Sequence, residues 1–161
     1  MSLHVTEVRP PCAGDPPPVG VVELDSQDRW LRRRPLTAND GVRLMVDMSD
    51  ARVLPDGERL VAEDGRHWEV RAAPEPLLSV AAPDLARIAW HVGNRHAPCQ
   101  IGPDRILVRD DPVMRRMLEG LGASVAPVVA PFEPEGGAYG HGRTHGHSHG
   151  HGDGHDRDDH G

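Results

Sequence analysis

The chain has 161 residues, enough for one compact domain or two small ones, and 37% of them are hydrophobic, as a packed core requires. The formal net charge is −7, and all 18 basic residues are arginine, because the sequence contains no lysine. A phosphate-binding P-loop requires a lysine and a nucleic-acid surface requires a basic face, so the composition excludes a Walker-type nucleotide hydrolase and argues against a nucleic-acid partner.

Hydrophobic runs and cysteines indicate neither a membrane protein nor a secreted one. The opening stretch MSLHVTEVRPPC has no apolar core of signal-peptide length, and no later run is long enough to span a bilayer. The two cysteines, Cys12 and Cys99, form no CxxC pair and are too few for a disulfide scaffold. The sequence therefore predicts a cytoplasmic protein with two reduced thiols and no membrane partner.

Residues 1–74 are predicted to form an all-β domain, because no helical period appears before residue 80. The proline-rich stretch PPCAGDPPP, residues 10–18, is predicted to be an irregular loop. Turn signals, such as TANDG at 37–41 and Asp64-Gly65, separate short extended segments. These predicted strands cover residues 19–24, 29–34, 42–48, 59–61 and 67–71.

Two helices are predicted in the second half of the chain. The first begins near Pro83 and Asp84 and ends at Gly93. Its apolar face, with helical spacing, consists of Leu85, Ile88, Ala89 and Val92. The second starts at the Asp111-Pro112 cap and ends at Gly122. Its inward-facing residues are predicted to be Val113, Met114, Met117, Leu118 and Leu121.

Strands flank both of these helices. They are predicted at residues 77–80, 99–101, 105–108 and 125–129. Pro127 lacks an amide donor and so places the last strand at a sheet edge. The resulting order β-α-β-β-α-β is the split pattern of ferredoxin-like domains. The predicted fold class is therefore α+β, with the all-β domain followed by a ferredoxin-like βαββαβ domain over residues 75–132.

Residues 133–161 form a glycine- and histidine-rich tail, which is predicted to be disordered because little of it is apolar. It holds seven of the 11 histidines. Four of them alternate with glycine or serine over residues 145–151, and the other three lie before and after this run. The principal tail histidines are His141, His145, His147, His149, His151 and His155. Imidazole nitrogen suits nickel, copper, zinc and cobalt. Alternation with glycine lets neighbours share one ion weakly, and protonation below about pH 6 should release it.

Two further histidines surround the end of the first predicted helix. His91 and His96 are five residues apart, so they do not share a helix face, and the sequence contains no H-E-x-x-H. One imidazole cannot hold a transition metal usefully. From spacing alone, His96 is either a helix-terminus residue or a ligand whose partners come from a two-fold mate or from the tail.

Two motifs carry a family resemblance. The stretches His91-Val92-Gly93-Asn94-Arg95-His96-Ala97-Pro98 and PFEPEGGAYG at 131–140, together with the histidine-rich end, resemble the urease accessory protein UreE family. The resemblance extends more loosely over the β domain and covers most of residues 20–150. It implies a homodimeric nickel chaperone rather than an enzyme, with an N-terminal β domain and a ferredoxin-like metal-binding domain.

The resemblance also implies a ligand set and partners. The family's interface nickel ligand corresponds to His96, whose two copies meet in the dimer, and tail histidines complete the coordination, with His145, His147 and His149 favoured here. Ni²⁺ would then pass to a urease accessory GTPase and to the apo-urease complex. Zn²⁺, Cu²⁺ and Co²⁺ are also expected to bind in vitro.

The chain departs from the family pattern at some positions. The segment Arg109-Asp110-Asp111-Pro112 lacks the surface histidines that some members carry near the second helix, so peripheral metal sites are not expected there. Cys99 often corresponds to a larger aliphatic residue, and it is interpreted as a small buried hydrophobe rather than as a ligand.

Three other functions remain open beside nickel delivery. Metal storage would use the tail alone. A hydrolytic metalloenzyme would need a general base, and no paired carboxylate lies near the His91–His96 segment. Peptide binding by the β domain would be compatible with nickel delivery.

Overall fold

The computed structural model describes residues 2–136. Within that range the N-terminal half contains six strands: β1 (Ser2–Arg9), β2 (Gly20–Leu24), β3 (Trp30–Thr37), β4 (Arg43–Val53), β5 (Arg59–Ala62) and β6 (His67–Ala72). The second half contains β7 (Pro74–Ala81), α1 (Leu85–Asn94), β8 (Cys99–Ile101), β9 (Ile106–Arg109), α2 (Pro112–Gly120) and β10 (Ser124–Pro131). The disorder predicted for the tail beyond residue 136, and all of its histidines, lie outside the described residues.

The N-terminal domain is one six-stranded sheet in the order β2-β6-β5-β1-β4-β3, which confirms the all-β prediction. Its buried centre is aliphatic apart from one tryptophan, and it includes Val22, Leu44, Leu60, Trp68 and Val70. The Trp68 indole N–H donates to the Asp40 carboxylate at 3.1 Å, so the polar end of this side chain is satisfied.

The first strand was not predicted. In β1 the apolar alternation starts at Leu3 and Val5 and then shifts to Val8, because a register irregularity falls between Val5 and Glu7. The strand pairs in parallel with β4 at its start and antiparallel with β5 afterwards. A strand whose period is reset by a bulge shows too short an alternation to be recognised from sequence.

The second domain is a four-stranded sheet in the order β10-β7-β9-β8, in which every neighbouring pair is antiparallel. The predicted order β-α-β-β-α-β is observed, and β10 lies at the sheet edge as Pro127 predicted. Strand β7 starts three residues earlier than predicted. Prolines 74 and 76 are tolerated there because β9 pairs with β7 only between Leu77 and Val80.

Both helices pack on one face of this sheet. The residues that form the shared core are Leu78, Val80, Ile88, Val92, Ile106, Val108, Met114 and Leu118. The prediction that Val113 faces inward is wrong, because its side chain is 54% exposed at the first turn of α2. Pro83 also lies outside α1, whose N-cap is Asp84. Neither helix of the described chain is long and apolar enough to cross a bilayer.

The N-cap of α2 gives a testable contribution to stability. The Asp111 carboxylate accepts hydrogen bonds from the amides of Val113 (2.7 Å) and Met114 (3.3 Å). Asp111→Ala leaves these helix-start amides without their acceptor, and we expect the free energy of unfolding to fall by about 1 kcal/mol in urea denaturation. The control is Asp110→Ala, an exposed neighbour that does not cap the helix, which should change stability by less than about 0.5 kcal/mol.

The helix-free face of the second sheet is covered by the chain's own continuation. Phe132 is fully buried there against Leu77 of β7 and Leu107 of β9. From the N-terminal domain, the buried guanidinium of Arg29 donates to the Phe132 carbonyl and, at 3.5 Å, to the Leu54 carbonyl. Its exposure is 1%. Residue 132 is therefore held between the two domains.

Residues 133–136, which the sequence analysis assigns to the tail, are bonded to the body of the protein. The Glu133 amide donates to the Gln100 side chain at 2.9 Å, and the Glu135 amide donates to the Cys99 carbonyl at 2.7 Å. The folded part thus extends beyond the predicted limit at residue 132, because polar contacts to strand β8 replace the apolar contacts that the composition lacks.

Candidate metal site

His96 closes the end of helix α1. The helix continues through Gly93 to Asn94, so the prediction that it ends at Gly93 is wrong. The Ala97 amide donates to the Val92 carbonyl at 3.3 Å, and the His96 amide donates to the Gly93 carbonyl at 2.9 Å. These two bonds form a Schellman motif, in which the residue after the C-cap adopts left-handed backbone angles.

His96 occupies that left-handed position with a φ of 57°, and it is the single non-glycine residue with positive φ among those described. Helix α2 ends with the same two bonds, from Gly122 to Glu119 (3.0 Å) and from Ala123 to Leu118 (3.1 Å). There the left-handed residue is glycine, with a φ of 87°. Histidine thus stands where glycine would be about 1 kcal/mol more favourable. A strained backbone at an exposed histidine is a reason to look for function.

The His96 side chain lies on the surface. It is exposed together with Asn94, Arg95 and Pro98, and no other described side chain hydrogen-bonds to its ring. His91 differs, since it is half-buried on α1 and its ring meets the edge of Trp90 with the centroids 5.0 Å apart. The structure therefore presents one free imidazole at this end of the helix, that of His96.

Cys99 follows His96 by three residues but is a poor ligand. Its side chain is half-buried against the core beneath the helices. Burial, and then the nearby Glu135 carboxylate, raise the pKa of the Cys99 thiol and disfavour the thiolate that a metal requires. This agrees with its interpretation as a small hydrophobe.

Residues 2–136 do not form a complete metal cage, since no three histidine, cysteine, aspartate or glutamate side chains in that range are arranged to hold an ion. His96 is the sole predicted ligand within the described part, and the predicted tail ligands lie outside it. A metal bound by His96 therefore needs donors from a second copy of the chain or from the tail.

Comparison with known proteins decides the family. The family model of the UreE urease accessory protein, C-terminal domain, matches residues 66–160, and that of the N-terminal domain matches residues 5–73. The chain belongs to the UreE urease accessory protein family. This confirms the resemblance inferred from the motifs around His96 and residue 131.

Curated UreE relatives match over most of the chain. The urease accessory protein UreE of Rhodobacter capsulatus is 54% identical over 123 residues, which cover 76% of this chain and 78% of the relative. That of Ruegeria sp. (strain TM1040) is 53% identical over 130 residues, covering 81% and 74%. That of Mesorhizobium japonicum is 46% identical over 133 residues, covering 81% and 68%.

Members of the UreE family are accessory proteins of urease by name, not enzymes, as the sequence analysis expected. The geometry adds what the motif alone did not show, namely that the last histidine of GNRH is the left-handed residue of a helix cap. The one available signal was negative, because the nearest glycine, Gly93, lies three residues before the left-handed position at residue 96.

Proposed function

We propose that the protein is a homodimeric nickel metallochaperone that binds Ni²⁺ reversibly and delivers it for assembly of the urease metallocentre. Two copies of His96 share the ion, and the six principal tail histidines named above complete and load the site. The cargo passes to a urease accessory GTPase and the apo-urease complex in the cytoplasm. The proposed domain limits are 1–74, 75–132 and, for the tail, 133–161, of which residues 133–136 are bonded to the second domain as described above.

The observation that carries this proposal is the exposed imidazole of His96, held on a strained left-handed backbone, in a chain of the UreE family. A single imidazole binds nickel weakly, but a two-fold axis doubles every ligand without further residues. A site assembled from few ligands suits a carrier, because a closed four-ligand cage would hold the ion too tightly for transfer.

An exposed tryptophan near His96 supports pairing at this end of α1. Trp90 is 63% exposed, which is unusual for so large an apolar side chain. It lies on α1, less than two helical turns before His96, the left-handed residue that follows the end of this helix. A two-fold contact here would remove Trp90 from water and bring the two imidazoles together.

Storage of divalent metals through the tail is the alternative function. It is favoured by one observation, since His96 is the one proposed ligand among the described residues and every other proposed ligand lies in the tail.

The experiment that separates the two is a nickel titration of the full chain and of a shortened chain ending at Gly140, with the mass measured alongside. For a chaperone we expect the shortened chain to retain about one ion per dimer, while the full chain binds more. Complete loss of binding in the shortened chain would favour storage. A nickel-loaded monomer would contradict the proposed site.

A further inference from the structure

Residues 132–135, called the strap below, carry the chain from one edge of the second sheet to the other. Strand β10 ends at Pro131 on one edge, and β8 forms the opposite edge. Phe132 packs on β7 and β9 in between, on the face without helices. At the far edge, Glu135 pairs with β8 on both sides of Gln100.

The Glu135 contacts resemble a short added strand. Its amide donates to the Cys99 carbonyl at 2.7 Å, and its carboxylate accepts from the Ile101 amide at 3.2 Å. The Gln100 side chain, which points to the strap's side of the sheet, accepts from the Glu133 amide at 2.9 Å. Three consecutive residues of β8 therefore fix the strap: Cys99 and Gln100 accept hydrogen bonds from it, and Ile101 donates one to it.

The N-terminal domain holds the strap from its other side. The Glu133 carboxylate accepts from the Asp56 amide at 2.9 Å and lies 3.9 Å from the buried Arg29 guanidinium. From the second domain, Arg109 of β9 lies over the Phe132 ring, 5.6 Å from its centroid. The strap is thus bonded to both domains, and its course cannot change without breaking contacts with each.

The end of the strap lies near His96 in space, because Glu135 bonds to Cys99. Cys99 follows His96 by three residues, so the Cα atoms of His96 and Glu135 are at most roughly 18 Å apart. His141, the first tail histidine, follows Glu135 by six residues, and six extended residues span about 20 Å. The length of chain between Glu135 and His141 is therefore sufficient to bridge the distance from Glu135 to His96.

We infer that the strap fixes the origin of the histidine tail beside the His96 loop, and that Glu135 and Gln100 are positioning residues for the metal site. This inference rests on the proposed function. A tethered ligand binds in proportion to its effective concentration, which falls with the length of free chain. Release of the strap from β8 back to the buried Phe132 would lengthen the tether to His141 from six residues to nine and would start it before β8 is reached.

The test compares Glu135→Ala and Gln100→Ala with the unchanged protein. Both are surface contacts, so the fold should persist. In the metal-free full chain, we expect the Ile101 amide in Glu135→Ala, and the Glu133 amide in Gln100→Ala, to lose protection from hydrogen exchange. The double variant should bind nickel about two- to fivefold more weakly in the full chain, and with unchanged affinity in the chain ending at Gly140.

Two control variants separate positioning from other roles. Glu135→Gln keeps an oxygen acceptor for Ile101 and should restore both amide protection and nickel affinity, which would not happen if the Glu135 carboxylate were a metal ligand. Glu119→Ala removes a glutamate of α2 whose carboxylate pairs with Arg115 at 3.0 Å, and it should change neither readout.

The outcomes also separate this inference from the proposed function. Loss of amide protection with unchanged nickel affinity in the double variant would overturn the positioning role and leave the chaperone standing. Failure of the shortened chain to bind nickel at all would overturn both.

Discussion

His96→Gly is expected to abolish nickel binding to the chain ending at Gly140 while raising the free energy of unfolding by about 0.5–1 kcal/mol. The left-handed backbone at residue 96, with φ 57°, suits glycine better than histidine. The substitution also removes both symmetric ligands of the proposed site at once. Loss of one supporting partner of a metal site costs 10–100-fold, so the loss here should exceed about 100-fold. Calorimetry and urea denaturation measure the two effects.

Gly93→Ala is the matched control. Gly93 lies inside α1, and a Cβ there would meet no atom within 4 Å. Alanine should raise the free energy of unfolding by a similar 0.5–1 kcal/mol and leave nickel binding unchanged. His96→Ala should lose nickel without the gain in stability, because alanine is strained at positive φ. If His96→Gly binds nickel as its parent does, His96 is not a ligand.

Phe132→Ala should lower the free energy of unfolding by about 3–5 kcal/mol, the largest stability effect expected here. Its ring is fully buried on the helix-free face of the second sheet, with Leu77, Leu107 and Arg109 around it. Strands β7 and β9 are paired within the sheet and cannot move together to fill the space. Guanidinium denaturation followed by circular dichroism gives the value.

Val129→Ala provides the comparison for this substitution. Val129 lies three residues earlier on β10 and is 73% exposed, so we expect a change below about 0.5–1 kcal/mol. A loss below about 1 kcal/mol for Phe132→Ala would show that the strap does not pack as described.

The sequence predicted those parts of the fold that repeat a simple period. The helical spacing of Leu85, Ile88 and Val92 located α1, and Pro127 located the sheet edge, because each expresses a local rule. Strand β1 was missed since a bulge interrupts its alternation. The attachment of residues 133–136 to the body was not predicted, because composition does not encode the hydrogen bonds that the strap donates to Gln100 and Cys99 and accepts from Ile101.

The candidate site was predictable in identity but not in geometry. The GNRH motif singled out His96 as a ligand through family resemblance, whereas spacing alone favoured a helix-terminus role. In the structure His96 has that role, since its left-handed backbone ends α1 and its side chain remains exposed. The sequence pointed to Gly93 because the left-handed residue after a helix is usually glycine. A histidine at that position gives no such signal, so the end of the helix was placed too early.

The guanidinium of Arg29 makes the first half of the chain dependent on the second. A fragment that stops at Pro74 would retain this cation but lose the Phe132 carbonyl that satisfies it, and water would have to hydrate it instead. Such a fragment is a poor bait for capturing urease subunits, since its newly exposed surface would bind proteins nonspecifically. Affinity experiments on the first sheet therefore call for the intact chain.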